Sequence, residues 1–164
     1  MSAEVRAKLL LKVLSYDRQL KERSGGHLVL AVVTDASAPE EVRADTARMA
    51  AALTAAASRF KVAQMTPTVV TVPLGPGLAR AFEERGVTAV YALPDTAQAP
   101  AVAAAALARR APTLTTGREA VVAGMAVGIF VKGSRPSILI NLPVAKALGM
   151  KLDAKLLRFA ELLR

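Results

Sequence analysis

Apolar runs rich in β-branched residues alternate with stretches of helical periodicity over the first two thirds of the chain. The apolar runs, which predict buried strands, cover residues 28–34, 68–72 and 87–93. The helical stretches cover residues 37–60, 78–85 and 99–110. Strands that alternate with helices in this way predict a parallel sheet with right-handed crossovers, and we favour the strand order 2-1-3-4 for it.

The first predicted helix spans residues 3–23 and ends at the Ser24-Gly25-Gly26 turn. Its apolar positions recur at three- and four-residue steps, as one face of a helix requires. That face consists of Val5, Leu9, Val13, Tyr16 and Leu20. Basic residues occupy much of the remaining surface. We expect this basic face to be either solvated or a docking face for an acidic partner or a lipid surface.

The long helix after the first strand is predicted to begin with a capping box at Ser37 and Glu40, with Pro39 in its first turn. The residues expected on one side of this helix are Val42, Met49, Leu53, Ala56 and Phe60.

The last third of the chain predicts a strand, a turn, a β-hairpin and two helices. The strands cover residues 113–115, 126–132 and 137–141, and residues 117–123 form a turn or a single helical turn. Asn141 and Asp153 are the expected N-caps of the two helices, and Pro143 fits the first turn of the earlier one. The apolar stripe of the closing helix is predicted to be Leu156, Leu157, Ala160 and Leu163.

Together these elements predict a single three-layer α/β domain over residues 1–164, with a mostly parallel sheet and a C-terminal β-hairpin at its edge. Its successive parts are an N-terminal helix (3–23), βα units (27–111), and the hairpin with its closing helices (112–164). This order of elements resembles one lobe of a periplasmic binding protein.

The composition excludes several kinds of active site. There is no cysteine, which removes disulfides, thiolate metal sites and cysteine nucleophiles. His27 is the single histidine, which disfavours histidine metal clusters and His-relayed triads. The chain has no complete G-x-G-x-x-G fingerprint, no P-loop, and only part of the pattern of a phosphoacceptor receiver. We therefore predict no catalytic residue, no metal site and no cofactor.

The formal net charge of +9 is the strongest compositional signal about partners. A basic protein is attracted to acidic protein surfaces, anionic membranes and nucleic acid. The basic residues are spread along the chain, and aromatic residues make up only 4% of it, which disfavours nucleic-acid binding by base stacking. An ordinary solvated surface is the alternative interpretation of the charge.

Turns at the carboxyl ends of the predicted strands are the expected place for a small ligand, because open α/β sheets bind ligands there. The candidate residues are Thr34, Asp35, Gly75, Gly77, Asp95, Thr115 and Gly117. A small anion or metabolite would be held there by helix N-termini. The alternative is that these residues serve only capping and backbone geometry.

Several segments resemble the YfiR-like family of small bacterial periplasmic regulators. In the last third these are the strand GMAVGIFVKG, the strand ILINL that passes into the helix PVAKALGM, and the closing segment LDAKLLRFAELL. Near the N-terminus, KVLSYDRQLKERSGGHLVLAVV is similar to a branch of that family in which a helix leads into the first strand. The matching residues are glycines, caps and core leucines, so the resemblance bears on the fold more directly than on the role.

The resemblance implies a non-enzymatic regulatory protein that binds the periplasmic part of a membrane-bound diguanylate cyclase and holds it inactive. Release would then raise cyclic di-GMP. It also implies a periplasmic location, with a signal peptide that is not present in this sequence, and it is compatible with a homodimer. The candidate contacts on the first and last helices are Lys8, Lys12, Lys155 and Arg158. The lack of cysteines departs from some relatives that have disulfides.

Two other functions stay open. One is a single-lobed protein that binds a small molecule, related to the solute-binding proteins of transporters. The other is a cytoplasmic binding module driven by charge, for which Met1 would be the natural start. The chain has no apolar run of roughly 18 residues or more, so no transmembrane helix is predicted.

Overall fold

The alternating strand and helix patterns form a seven-stranded sheet in a computed structural model that describes all 164 residues. The strands are β1 (Val29–Thr34), β2 (Thr68–Pro73), β3 (Ala89–Tyr91), β4 (Thr113–Thr115), β5 (Val127–Lys132), β6 (Arg135–Asn141) and β7 (Glu161–Leu163). Their order across the sheet is β2-β1-β3-β4-β5-β6-β7. Every neighbouring pair is parallel except the β5–β6 hairpin.

Helices cover both faces of this sheet. They are α1 (Ala3–Ser15), α2 (Leu20–Arg23), α3 (Glu40–Ala57), α4 (Leu78–Glu84), α5 (Ala99–Leu107), α6 (Arg118–Val122), α7 (Leu142–Ala147) and α8 (Ala154–Phe159). The larger hydrophobic core lies between the sheet and α1, α3, α7 and α8. A smaller core lies between the opposite face and α4, α5 and α6. None of the eight helices combines the length and apolarity that crossing a bilayer requires.

The predicted α/β class and the strand order 2-1-3-4 are confirmed, with the hairpin toward one side of the sheet. β1 is central because its apolar residues supply both cores: Leu30 and Val32 face the larger one, and Ala31 and Val33 the smaller one. Alternate residues of a strand point to opposite faces, so only a strand that is apolar throughout can do this.

The predicted closing helix is wrong in its second half. α8 ends at Phe159, and Glu161–Leu163 form β7, which pairs in parallel with β6. The edge of the sheet is therefore β7, one strand beyond the hairpin. The leucine pattern of this segment is compatible with a helix or a strand. The segment forms a strand because the backbone of β6 provides hydrogen-bond partners for it.

The predicted N-terminal helix is also too long. Of its predicted apolar face, Val13 and Leu20 are buried and Leu9 and Tyr16 pack against the core, but Val5 does not. α1 ends at Ser15, and a separate short α2 follows. The residues of α1 that are buried are Ala7, Leu10, Leu11, Val13 and Leu14. Val5 is 44% exposed, whereas Arg6 is half-buried and pairs with Asp45 of α3.

A buried ion pair explains why the chain breaks after α1. The carboxylate of Asp17 is fully buried and lies 2.5 Å from a guanidinium nitrogen of Arg23. Asp17 Oδ1 also accepts hydrogen bonds from the backbone N–H groups of Gln19 (3.1 Å) and Lys151 (3.0 Å). Arg23 donates a further hydrogen bond to the carbonyl of Gly149 at 2.9 Å. The turn between α1 and α2 is thereby fastened to the segment between α7 and α8.

The start and the end of α3 differ from the prediction. Pro39 is its N-cap and has no side-chain acceptor, while Ser37 lies two residues earlier and its hydroxyl donates to Asp35. The predicted capping box with Glu40 is therefore wrong. Met49, Leu53 and Ala56 are buried as expected, but Phe60 lies beyond the end of the helix and is 45% exposed.

Candidate functional site

A cleft of about 620 Å³ opens where β1, β3 and β4 end. The loop after β1 forms one wall, the turn after β3 the second, and the start of α6 the third. Its polar lining residues are Asp35, Ser37, Asp95, Thr96, Gln98 and Glu119. Parallel strands place all their carboxyl ends at one edge of the sheet, which brings these loops together although they are far apart in sequence.

Asp35 is held in place by three hydrogen bonds at the mouth of this cleft. Its Oδ1 accepts from the hydroxyl of Ser37 at 2.7 Å and from the Ser37 backbone N–H at 3.0 Å. Its Oδ2 accepts from Nε2 of Gln98 at 2.8 Å. The hydrogen bond from the Ser37 side chain, followed by the one from Gln98, lowers the pKa of Asp35 below its ordinary value. Asp35 is therefore an ionised acceptor at neutral pH.

Gln98 connects two of the cleft loops. Its backbone N–H donates to Oδ1 of Asp95 at 2.8 Å, and its side-chain oxygen accepts from the Asp95 backbone N–H at 3.3 Å. This is the reciprocal geometry of a capping box, formed by Asp95 and Gln98 in the turn that leads into α5. Because the Gln98 side-chain amide also donates to Asp35, this residue connects the loop after β1 to the turn at Asp95.

The predicted ligand residues fall into two groups. Asp35, Asp95 and Gly117 line the cleft as the strand-end argument requires. Thr115 is fully buried, and its hydroxyl accepts from the Gly117 backbone N–H at 3.2 Å, so it supports the turn from behind. Thr34, Gly75 and Gly77 do not line the cleft. The two glycines follow β2, which is an edge strand of the sheet.

Sequence reasoning missed Ser37, Thr96, Gln98 and Glu119 as lining residues. For Gln98 a signal was present, because Asp95 and Gln98 have the three-residue spacing of a capping box. For Glu119 there was none, since its place in the cleft depends on how α6 packs over the sheet.

The cleft offers hydrogen-bonding groups without a paired acid and base. Behind it, Tyr91 is fully buried and its hydroxyl lies 3.2 Å from that of Thr116. Burial raises the pKa of Tyr91 to about 12, so its phenol stays protonated at neutral pH. No three His, Asp or Glu side chains of the molecule lie close enough together to hold a metal ion.

The predicted partner contacts lie on one side of the sheet but belong to two separate patches. Lys8 and Lys12 are on α1, and Lys155 and Arg158 are on α8; all four are exposed and none is in an ion pair. Lys8 and Lys12 line a groove between α1 and the end of α3, to which Lys155 and Arg158 do not contribute.

Comparison with protein families gives a match over nearly the whole chain. The model of the YfiR/HmsC-like family matches residues 3–161. The chain belongs to this family. The match runs from the first residue of α1 to the first residue of β7, so the family region of this YfiR/HmsC-like protein includes the Asp17 junction and the cleft loops. No protein of curated function matches the chain by sequence.

Solved structures similar to this YfiR/HmsC-like protein share its fold at low sequence identity. A conserved domain protein from Vibrio cholerae superposes with a TM-score of 0.66 at 15% identity over 99% of this chain. A ligand-free, open substrate-binding protein with adhesive properties from Clostridium difficile gives 0.62 at 15% identity over 89%. An ABC domain in complex with L-Trp from Streptococcus pneumoniae gives 0.61 at 13% identity over 92%.

The chain spans only part of each of these proteins: 60%, 57% and 60% of their lengths, respectively. At these identities the superpositions show the fold, which is that of one lobe of a periplasmic binding protein.

Proposed function

We propose that this protein is a non-enzymatic regulatory protein that acts outside the cytoplasm by binding a membrane-bound diguanylate cyclase. The observation that carries the proposal is the family match, which extends over residues 3–161. The exposed and unpaired cations of α1 and α8 support it, because a net charge of +9 favours association with an acidic protein surface.

The mechanism that fits a binding protein without catalytic groups is a population shift. A regulator that binds the inactive state of a receptor more tightly than the active state moves the equilibrium by the ratio of the two affinities. Release of the regulator would then restore cyclase activity and raise cyclic di-GMP. The candidate contacts for this role are Lys8 and Lys12 on α1, and Lys155 and Arg158 on α8.

Affinity capture from a detergent-solubilised envelope extract tests the proposal. The immobilised wild-type protein is expected to retain a membrane protein with a diguanylate cyclase domain, and its addition should lower cyclic di-GMP synthesis by that protein. Two double variants, Lys8→Glu/Lys12→Glu and Lys155→Glu/Arg158→Glu, separate the two candidate patches. The matched control is Lys132→Glu/Arg135→Glu, which makes the same charge change in the hairpin. Capture of no such cyclase by the wild type would count decisively against the proposal.

The cleft favours a second candidate function, that of a single-lobed protein that binds a small polar molecule. Its volume of about 620 Å³ lies in the range of small-molecule sites, and Gln98 orders two of its loops in advance. A ligand present at 100 times its dissociation constant stabilises the folded state by about 2.7 kcal/mol.

A thermal-unfolding screen against polar metabolites therefore reveals such a ligand as a rise in melting temperature. The Gln98→Ala variant should lose most of that rise, because Asp35 and Asp95 are no longer held together. A rise that is the same in the variant would place the ligand elsewhere, and no rise with any compound would remove this second function.

A further inference from the structure

The groove between α1 and the end of α3 contains two of the four candidate receptor contacts, Lys8 and Lys12. It consists of two adjoining hollows of about 290 and 170 Å³, and both are lined by Lys8 and Phe60. Leu11 and Val62 form an apolar floor and are at most 2% exposed. The groove is therefore concave and apolar at its base.

Cations surround this apolar floor. They are Lys8, Lys12, Arg59 and Lys61, all exposed, and none of them forms an ion pair or a side-chain hydrogen bond with the rest of the chain. The only carboxylate among the lining residues is that of Glu4, in the smaller hollow. Four unpaired cations around one apolar base are electrostatically complementary to an anionic ligand with an apolar part.

Phe60 is the aromatic wall of the groove. The ammonium of Lys8 lies 5.9 Å from the centre of its ring, which is cation–π distance. Because α3 ends at Ala57, the chain turns before Phe60 can reach the core, and the ring stays 45% exposed. An exposed aromatic side chain beside basic residues is typical of an interaction surface.

We propose that this α1–α3 groove binds an acidic amphipathic helix of a partner protein, with one apolar side chain in the larger hollow and carboxylates against Lys8, Lys12 and Lys61. The proposal deepens the proposed function and rests on it in one respect: it assigns this helix to the membrane-bound receptor. Amphipathic helices bind grooves of this kind by placing apolar residues spaced three and four positions apart into the base.

The shape and composition of the groove favour a peptide over other polyanions. A bilayer presents a flat surface, and its headgroups would meet the basic rim without filling the apolar hollow. Nucleic-acid binding without sequence preference depends on several aromatic side chains that stack with bases. Here there is one such ring, and Lys8 already lies over it. A peptide side chain fits both the hollow and the rim.

The proposal is tested with a fluorescently labelled synthetic helix that carries leucines at helical spacing on one face and glutamates elsewhere. A matched peptide replaces every glutamate with glutamine. Binding to the full-length protein is followed by fluorescence anisotropy, with phosphatidylglycerol vesicles and a single-stranded DNA oligonucleotide as competitors. The protein variants are Lys8→Glu/Lys12→Glu and Phe60→Ala, and the control is Lys132→Glu/Arg135→Glu.

We expect the acidic peptide to bind the wild type and the control equally, and to bind each groove variant about tenfold more weakly, which is a loss of about 1.4 kcal/mol. Added salt should weaken binding, because exposed charges are screened. Equal binding of the glutamine peptide, or equal binding by the groove variants, would overturn the proposal. Stronger displacement by vesicles or by DNA would assign the groove to that ligand instead.

The envelope capture separates this inference from the proposed function. If the wild type retains a cyclase and Lys8→Glu/Lys12→Glu retains it equally well, the groove is not the receptor site and the regulatory function stands. If the wild type binds the acidic peptide but retains no cyclase, the groove binds acidic helices and the regulatory function falls.

Discussion

Gly128 of β5 lies in close contact with α6. A Cβ atom at this position would lie 2.6 Å from Cγ2 of Val121, which is fully buried. Val121 cannot turn away at low cost, because a β-branched side chain has few allowed rotamers and its surroundings are closely packed.

Gly128→Ala is therefore expected to lower the free energy of unfolding by about 1–3 kcal/mol, the usual cost of overpacking a core. Urea denaturation of the variant and the wild type measures this loss of stability. The double variant Gly128→Ala/Val121→Ala should lose less than the two single losses added together. Gly75→Ala is the control, since no atom lies within 4 Å of a Cβ there. A loss as large in Gly75→Ala would show that the close contact is not the cause.

Asp45 and Arg6 form a bidentate ion pair between α3 and α1, at 2.8 and 3.1 Å. The hydrogen bonds from Arg6 lower the pKa of Asp45 below its ordinary value of 3.8. A depressed native pKa stabilises the fold at neutral pH, and this contribution disappears as the pH falls through the native pKa.

Asp45→Asn should therefore cost about 1–3 kcal/mol at neutral pH, because it leaves a largely buried guanidinium without its ionic partner. Below pH 3.8 the variant should lose stability less steeply than the wild type does. Urea unfolding at several pH values measures both effects. Arg48→Gln, which removes a mostly exposed cation 3.6 Å from the same carboxylate, should cost less than about 1 kcal/mol. Parallel pH profiles for wild type and Asp45→Asn would contradict this account.

Local sequence patterns predicted individual residues well where one contact decides the outcome. Asn141 and Asp153 cap α7 and α8 as expected, since each cap forms within three residues. Ser37 is not the cap, because α3 begins at Glu40 with Pro39 as its N-cap, and the Ser37 hydroxyl donates to Asp35. The prediction that Phe60 lies on the apolar side of the helix is wrong, because α3 ends before this residue. The outcomes for Ser37 and Phe60 depend on where α3 begins and ends, which the periodic pattern of apolar residues does not determine.

Among the elements, the α1–α2 junction has the clearest energetic cause. Asp17 is buried with Arg23, so the two charges compensate each other and neither can be removed alone without leaving the other unpaired. Arg23→Gln is expected to cost about 3 kcal/mol of unfolding free energy.

The double variant Asp17→Asn/Arg23→Gln should cost clearly less than the two single variants together, because it leaves no uncompensated charge. A double-mutant cycle by urea denaturation gives the coupling energy, which we expect to be at least about 1 kcal/mol. If the two single-variant losses add up to the loss of the double variant to within about 0.5 kcal/mol, the pair is not coupled.

The strands were more predictable than the helices at either end of the chain. β1 and β5 are apolar runs that fit only a buried strand, and both were predicted within one residue. In α1 the buried residues are Ala7, Leu10, Leu11, Val13 and Leu14. Packing against α3 and the sheet, which local periodicity does not describe, leaves Val5 outside this set. β7 owes its conformation to β6, which lies about 20 residues earlier, and no local pattern reveals that pairing.

For the whole molecule, two cores share one sheet. Residues of β1 and β3 belong to both, so loss of the sheet exposes the larger and the smaller core together. We therefore propose that residues 1–164 behave as one folding unit, and we predict a single cooperative unfolding transition. Far-ultraviolet circular dichroism and the fluorescence of Tyr16 and Tyr91 should give coincident urea curves. Two separated midpoints would show that the N-terminal helices or the closing segment unfold independently.

The junction at Asp17 also has a consequence for how the protein is made. Its backbone partner at Lys151 lies 134 positions later in the chain, so the Asp17 carboxylate lacks this hydrogen bond until that segment has been synthesised. Until then α1 can pack on earlier elements such as α3, but the turn between α1 and α2 is not yet fastened. The conformation of the first turn in the chain therefore depends on a segment that is translated long after it.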